Sequence, residues 1–340
     1  MKELERRDAL HAVAGLASAV AVGTVMGRRR SAPPAGSSAF DVVPATADGL
    51  VHANVDTLRR DEGMRTLTTA ALQQHAAYTA TDGSTDPPRN VDALLSDVEA
   101  EFERDPKTVH RATVFGDIGG GDDLFGGYAG VVLGADLSAE DVKSGIENVD
   151  DISFSELEES GTVVYEPESD DGPWVGALRS DRVVVGTETA VTDAVDVANG
   201  ERDAIGGPVR GAYADTREAS LRFASRLPDP SENDAVPTGV GSGGQSVDLT
   251  PLDHVTTLAG AVYRDGDVRG LETTLDAADR RTASDVARVV RELRERAVSE
   301  LGDDTVADVV ADIAVERDGA TVTTSVSRTV EELESLVDGR

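Results

Sequence analysis

The chain has 340 residues, enough for about two domains of ordinary size, but only 4% are aromatic, so its core has to be built from valine, alanine and leucine. Asp and Glu number 64 against 32 Lys plus Arg, a formal net charge of -32, and a field of that sign excludes nucleic acid as a partner. The absence of cysteine excludes disulfides, thiolate catalysis, zinc-thiolate sites and cysteine-linked lipid anchors.

Residues 1–30 read as a signal-like or membrane-anchor segment. Arg6-Arg7 precede an apolar run from Ala12 to Met26, and paired arginines before such a run resemble a twin-arginine export signal. The run is shorter than the ~20 residues that span hydrocarbon comfortably, and Arg28-Arg29-Arg30 behind it opposes cleavage and full translocation. Export with retention of this segment as a tether is therefore the preferred expectation. A cleaved signal, or a cytoplasmic protein with an amphipathic N-terminal helix, are the alternatives. Residues 31–39, rich in Ser, Pro and Ala, read as a spacer with too little apolar surface to fold.

The expected fold class is α+β, with two similar units over residues 40–205 and 206–340, each of antiparallel strands with helices packed on one face, related by an internal duplication. The repeat starts at Val51–Thr57 and Arg210–Thr216, each read as a strand ending in Asp-Thr, a natural cap for helices over Leu58–His75 and Arg217–Arg226. Strand pairs follow at Val109–Ile118 with Tyr128–Asp136, and at Val255–Tyr263 with Val268–Leu275, the latter joined by the hairpin signal Asp265-Gly266. A helix is expected after Ser138 and another after Thr282. Each half then closes on a hairpin and a helix: Trp174–Leu178, Arg182–Gly186 and a helix from Thr189; Ile313–Arg317, Thr321–Val326 and a helix from Thr329. Thr79–Asn90 and Ser231–Gln245 read as loops.

No residue is singled out as catalytic, cofactor-binding or metal-ligating, and no cofactor is implied. Gly119–Gly127 lacks the Lys and hydroxyl of a phosphate loop and carries two acids, Asp122 and Asp123. Gly239–Gly244 fails the nucleophile-elbow pattern at Val240. The five histidines, His11, His52, His75, His110 and His254, lack zinc spacing and read as structural. Asp82–Asp86 has alternating oxygen ligands but no closing glutamate for a calcium loop. Glu156, Glu158 and Glu159 could pair for acid-base work, but in so acidic a chain such groupings carry little information. Tyr165 and Trp174 read as core rather than as a recognition patch.

Together the Arg-Arg segment, the short spacer and the acidic, arginine-rich body, in which Lys2, Lys107 and Lys143 are the only lysines, resemble the uncharacterised exported or membrane-tethered proteins of halophilic archaea. That resemblance implies a cell-membrane or extracellular setting and no characterised enzyme family. The reading is a non-enzymatic, outward-facing envelope protein that binds a small ligand or another envelope protein; a hydrolase with a carboxylate-based site is the alternative. Because salt screens self-repulsion, cooperative unfolding is expected in molar KCl and loss of structure in dilute buffer, as circular dichroism will read; full stability at low salt would refute the salt-adapted reading.

Overall fold

The computed structural model describes residues 39–66 and 69, 105–117, 127–147, 153–168, 172–178, 181–227, 239–240, 247–300 and 304–337. The signal-like segment, nearly all of the spacer, the 79–90 loop, the 119–126 glycine run and most of the 231–245 loop lie outside them. Among the described residues, no helix is long and apolar enough to cross a membrane. The fold is α+β, and the chain divides into two compact units, one ending at Ile205 and the other running on from Gly206.

The first unit holds β1 (Gly49–Asn54), α1 (Val55–Arg60), β2 (Val109–Gly116), β3 (Ala129–Ala135), α2 (Ala139–Glu147), β4 (Phe154–Glu159), β5 (Thr162–Pro167), β6 (Trp174–Leu178), β7 (Arg182–Gly186) and α3 (Glu188–Asn199). Its strands are all antiparallel in the order β1-β2-β3-β7-β6-β5-β4. The helix after β1 starts earlier than its sequence suggests. Asn54, not Asp56-Thr57, is the cap, its Oδ1 accepting from the Thr57 amide at 2.9 Å. α2 opens on a reciprocal box: the Asp141 amide donates to Ser138 Oγ at 3.1 Å, and the Ser138 amide to Asp141 Oδ2 at 2.9 Å. The β4–β5 hairpin has no counterpart among the expected strands. It turns at Ser160 and Gly161, whose φ values of 48° and 76° are those of a type I′ turn.

The second unit holds α4 (Gly207–Asp215), β8 (Leu221–Arg226), β9 (Gly239–Val240), β10 (Val247–Asp248), β11 (Val255–Asp265), β12 (Val268–Ala277), α5 (Arg280–Glu300), α6 (Asp304–Ala311), β13 (Ala314–Asp318), β14 (Thr321–Thr329) and α7 (Val330–Val337). Its main strands follow the order β8-β11-β12-β14-β13, with β9 and β10 forming a separate ribbon. The second Asp-Thr segment is the clearest correction: Gly207–Asp215 is helix and Leu221–Arg226 is strand, the reverse of the expectation. Pro208 sits in the first helical turn, and Val209, Ala212 and Tyr213 fall on one buried stripe. Thr216 closes the helix by donating to the Tyr213 carbonyl at 2.7 Å. The cap of α5 is likewise Asp279, accepting from the Arg281 and Thr282 amides at 2.8 Å each, rather than Thr282.

Helices cover both faces of each sheet, which corrects the one-face expectation. In the first unit Val142 and Ile146 of α2 pack on Tyr165, Val175 and Val183. Gly176 and Val184 stand on the opposite face and meet Val191 and Val195 of α3. In the second, Ala283, Val286 and Ala287 of α5 pack with Leu275 and Val322. Arg222, which lies beside Ala261 and Glu272 on the other face, stacks over Tyr213 of α4 at 4.0 Å.

One glycine in each unit lies under a phenylalanine ring from the adjacent strand: Gly130 beneath Phe115, and Gly260 beneath Phe223. The three atoms nearest a methyl group at Gly130 all belong to that ring. Gly130→Ala is expected to destabilise by ~1–3 kcal/mol, and the same change in a Phe115→Leu background by far less. Denaturant unfolding of the double-mutant cycle in molar salt measures the coupling; equal costs in both backgrounds would mean that the ring does not set the constraint.

Candidate functional site

Three polar clusters in the first unit combine residues distant in sequence. His110 stands between two carboxylates, its Nδ1 3.0 Å from Asp56 Oδ2 and its Nε2 2.9 Å from Asp136 Oδ2. Both ring nitrogens face acceptors, an arrangement completed only by the doubly protonated imidazolium. The bonds to Asp136 and then Asp56 raise the His110 pKa, against a small desolvation penalty. Burial opposes ionisation of Asp56, but His110 and Arg59 outweigh it and lower its pKa. Arg59 also donates to the Val109 carbonyl at 2.6 Å, so the cluster ties α1 to β2 and to the end of β3.

The second cluster is buried. Asp193 of α3, 3% exposed, accepts from Thr46 at 2.9 Å, Tyr128 at 3.0 Å and Arg202 at 2.6 Å. Burial first, and the Asp193 charge beside it, push the Tyr128 hydroxyl well above its ordinary range. With its proton committed to a carboxylate, Tyr128 fastens the segment before β1 to α3. Removing one partner of such a cluster would leave a buried charge uncompensated.

The third cluster is open and is the candidate site. Between α2 and β4 lies a groove of about 310 Å³ lined by Lys143, Ile146, Glu147, Phe154, Glu156 and Tyr165, with Ser153 at its edge. The hairpin register sets Glu156 opposite Tyr165, so two residues weighed separately in the sequence come together. Lys143 reaches from α2 to Glu156 at 2.8 Å, an exposed pair of small energetic worth. Tyr165 is 5% exposed as a residue and lines the groove beside Glu156. Burial, followed by the nearby Glu156 charge, raises its pKa, which keeps it a donor.

The other residues weighed in the sequence fall elsewhere. His52 Nδ1 is 2.9 Å from Thr113 Oγ1, and His254 lies in the 3-10 turn before β11. Trp174 is on the face opposite Tyr165, since Tyr165 pairs with Val175, and the two form no patch. Glu158 and Glu159 share β4 with Glu156. Gly119–Asp123, Asp82–Asp86 and His75 lie outside the described residues, as do Ser242 and its neighbouring glycines. Among the described residues, no group of three or more His, Asp or Glu side chains is placed to hold a metal ion.

The His110 cluster predicts a pH dependence with a definite sign. A histidine whose folded pKa is raised contributes stability that is fully present below its unfolded value near 6.5 and is lost as pH rises through the higher folded value. Melting temperature should fall over that window in the wild-type protein, with a smaller fall in His110→Gln; identical pH profiles for the two proteins would refute the assignment.

No family model matches the chain, and no curated protein sequence matches it. Three solved structures resemble it: crystal form III of TP0453, at 8% identity over 90% of this chain and 100% of that one, with a TM-score of 0.44; crystal form I, at 9% over 90% and 98%, with 0.41; and crystal form IV, at 9% over 89% and 97%, with 0.45.

Proposed function

We propose that this chain is a non-enzymatic cell-envelope protein, tethered by its N-terminal segment and facing outward, which binds a small ligand or another envelope protein in the α2–β4 groove. One observation carries the binding reading: Lys143, Glu147, Glu156 and Tyr165, brought from α2 and the β4–β5 hairpin, converge with Ile146 and Phe154 on one open groove. Convergent charged groups beside a smaller apolar surface suit recognition of a ligand with a polar head and an apolar stem.

The alternative, a hydrolase with a carboxylate-based site, draws on His110. An imidazole polarised by Asp56 and Asp136 resembles the base-and-orienter half of a hydrolytic centre. Its protons are already engaged on both sides, which favours the binding reading.

We also infer that the two units arose by duplication of a five-stranded module. The order β1-β2-β3-β7-β6 repeats as β8-β11-β12-β14-β13, each with a helix between its third and fourth strands in chain order and another after its last. The match equates β1 with β8 rather than with the Arg210–Thr216 segment.

External protease applied to intact native cells tests the outward setting. Digestion of the acidic body without lysis is the expected result. Protection until lysis would overturn the envelope reading and return the question to cytoplasmic functions.

A further inference from the structure

The groove lies beside a sheet edge that none of the described residues of the first unit covers. β4 ends the strand order, and it pairs with β5 along one side only. The Glu168 amide bonds to the Ser153 carbonyl at 2.8 Å, which makes Ser153 and Glu168 a hydrogen-bonded pair. Alternation along the antiparallel ladder then makes Ser155, Leu157 and Glu159 the inward-bonded residues of β4. The amides and carbonyls of Phe154, Glu156 and Glu158 point away from β5, and among the described residues nothing bonds to them. The last strand of the second unit is treated differently: Arg294 and Arg291 of α5 donate to the carbonyls of Ile313 and Val315, at 2.7 and 3.1 Å.

The same three residues of β4 set the chemistry beside that free backbone. Phe154 and Glu156 face the groove with Ile146, Glu147 and Tyr165. An added strand alongside β4 would aim alternate side chains into it. A long aliphatic stem fits against Ile146 and Phe154, and a positive head fits between Glu147 and Glu156, beside Tyr165. Arginine suits this better than lysine, because its planar fork bonds carboxylates in pairs. On the other face Leu157, 39% exposed, offers an apolar contact to the neighbouring position. A second copy of β4 is disfavoured there, since it would set glutamates against glutamates.

We propose that β4 accepts an extended segment of a partner protein as a further strand, with an arginine of that segment seated in the α2–β4 groove. The proposal rests on the binding reading given above and names its partner's chemistry. Lys143, whose ammonium is exposed, releases Glu156 when the guanidinium arrives.

The test uses the full chain in molar KCl and fluorescence anisotropy with a labelled synthetic peptide of alternating threonine and arginine. Its controls are the same peptide with citrulline for arginine, and one N-methylated at alternate amides so that it cannot donate to a strand edge. Binding of the first, weakened at least about tenfold by either control and by Glu156→Gln, is the expected result, and Glu159→Gln, on the opposite face of β4, should shift it by no more than about twofold. Undiminished binding of the N-methylated peptide would overturn strand addition while leaving the groove a binding site. Equal binding of the citrulline peptide would overturn the arginine assignment. Failure of every peptide, with the protein still exposed on cells, would overturn this inference and leave the envelope reading standing.

Discussion

Closing sheets with small side chains is the constraint on which the rest of this structure depends. With aromatics so scarce, neither sheet can be covered by a few large rings, and the helices have to come close to the strands. Gly176 shows how: a methyl group there would lie 2.9 Å from Val184 and 3.2 Å from Val195, so the bare backbone is what lets α3 approach. The core on that face is almost wholly alanine and valine, with Val184, Ala190, Val191, Ala194 and Val195 all at 0% exposure. Helices on both faces follow from the same limit. Strands such as β3, β5 and β6 then bury residues from both side-chain rows, and many small residues together remove enough apolar surface from water to hold the fold.

Such packing leaves polar groups to fix the angles between elements. Asp193, Arg202, Tyr128 and Thr46 bind α3 to the segment that leads into β1, and His110 holds α1 against the end of β3. In a chain whose surface is so acidic, these carboxylates each meet donors from another element. The groove between α2 and β4 stands apart from both: its ion pair is exposed, and its charged and apolar side chains share one opening. That contrast, rather than any catalytic motif, sets it aside as a place for recognition.

Much of the architecture could be read from the residues. The β2–β3 and β11–β12 pairs, the hairpins that close each unit and the helix after Ser138 all follow from alternation, turn residues and caps. The Asp-Thr segments misled for two separate reasons. Asn54 took the cap two residues ahead of Asp56, and at Gly207–Asp215 a proline in the first turn and a buried helical stripe outweighed the likeness to β1. The β4–β5 hairpin was missed because half of β4 is glutamate, a poor strand former; Ser160-Gly161 between two alternating stretches was the available signal. The partners of His110, 54 and 26 residues away, are set by strand register and could not be seen without it. The groove was hidden for the same reason, since Glu156 and Tyr165 meet only through the hairpin.

The turn at Ser160-Gly161 is itself anchored. Asn199, at the end of α3, donates to the Ser160 carbonyl at 3.0 Å and to Thr162 Oγ1 at 3.1 Å, while Ser160 Oγ bonds to Glu201 at 2.9 Å. The hairpin therefore cannot slide on its helix. A gain or loss of one residue in β4 would turn its glutamates to the face of α3 and swing Leu157 toward the groove. Over evolutionary time this strand can exchange a side chain without losing its open backbone, whereas a change in its length would erase the whole edge at a stroke.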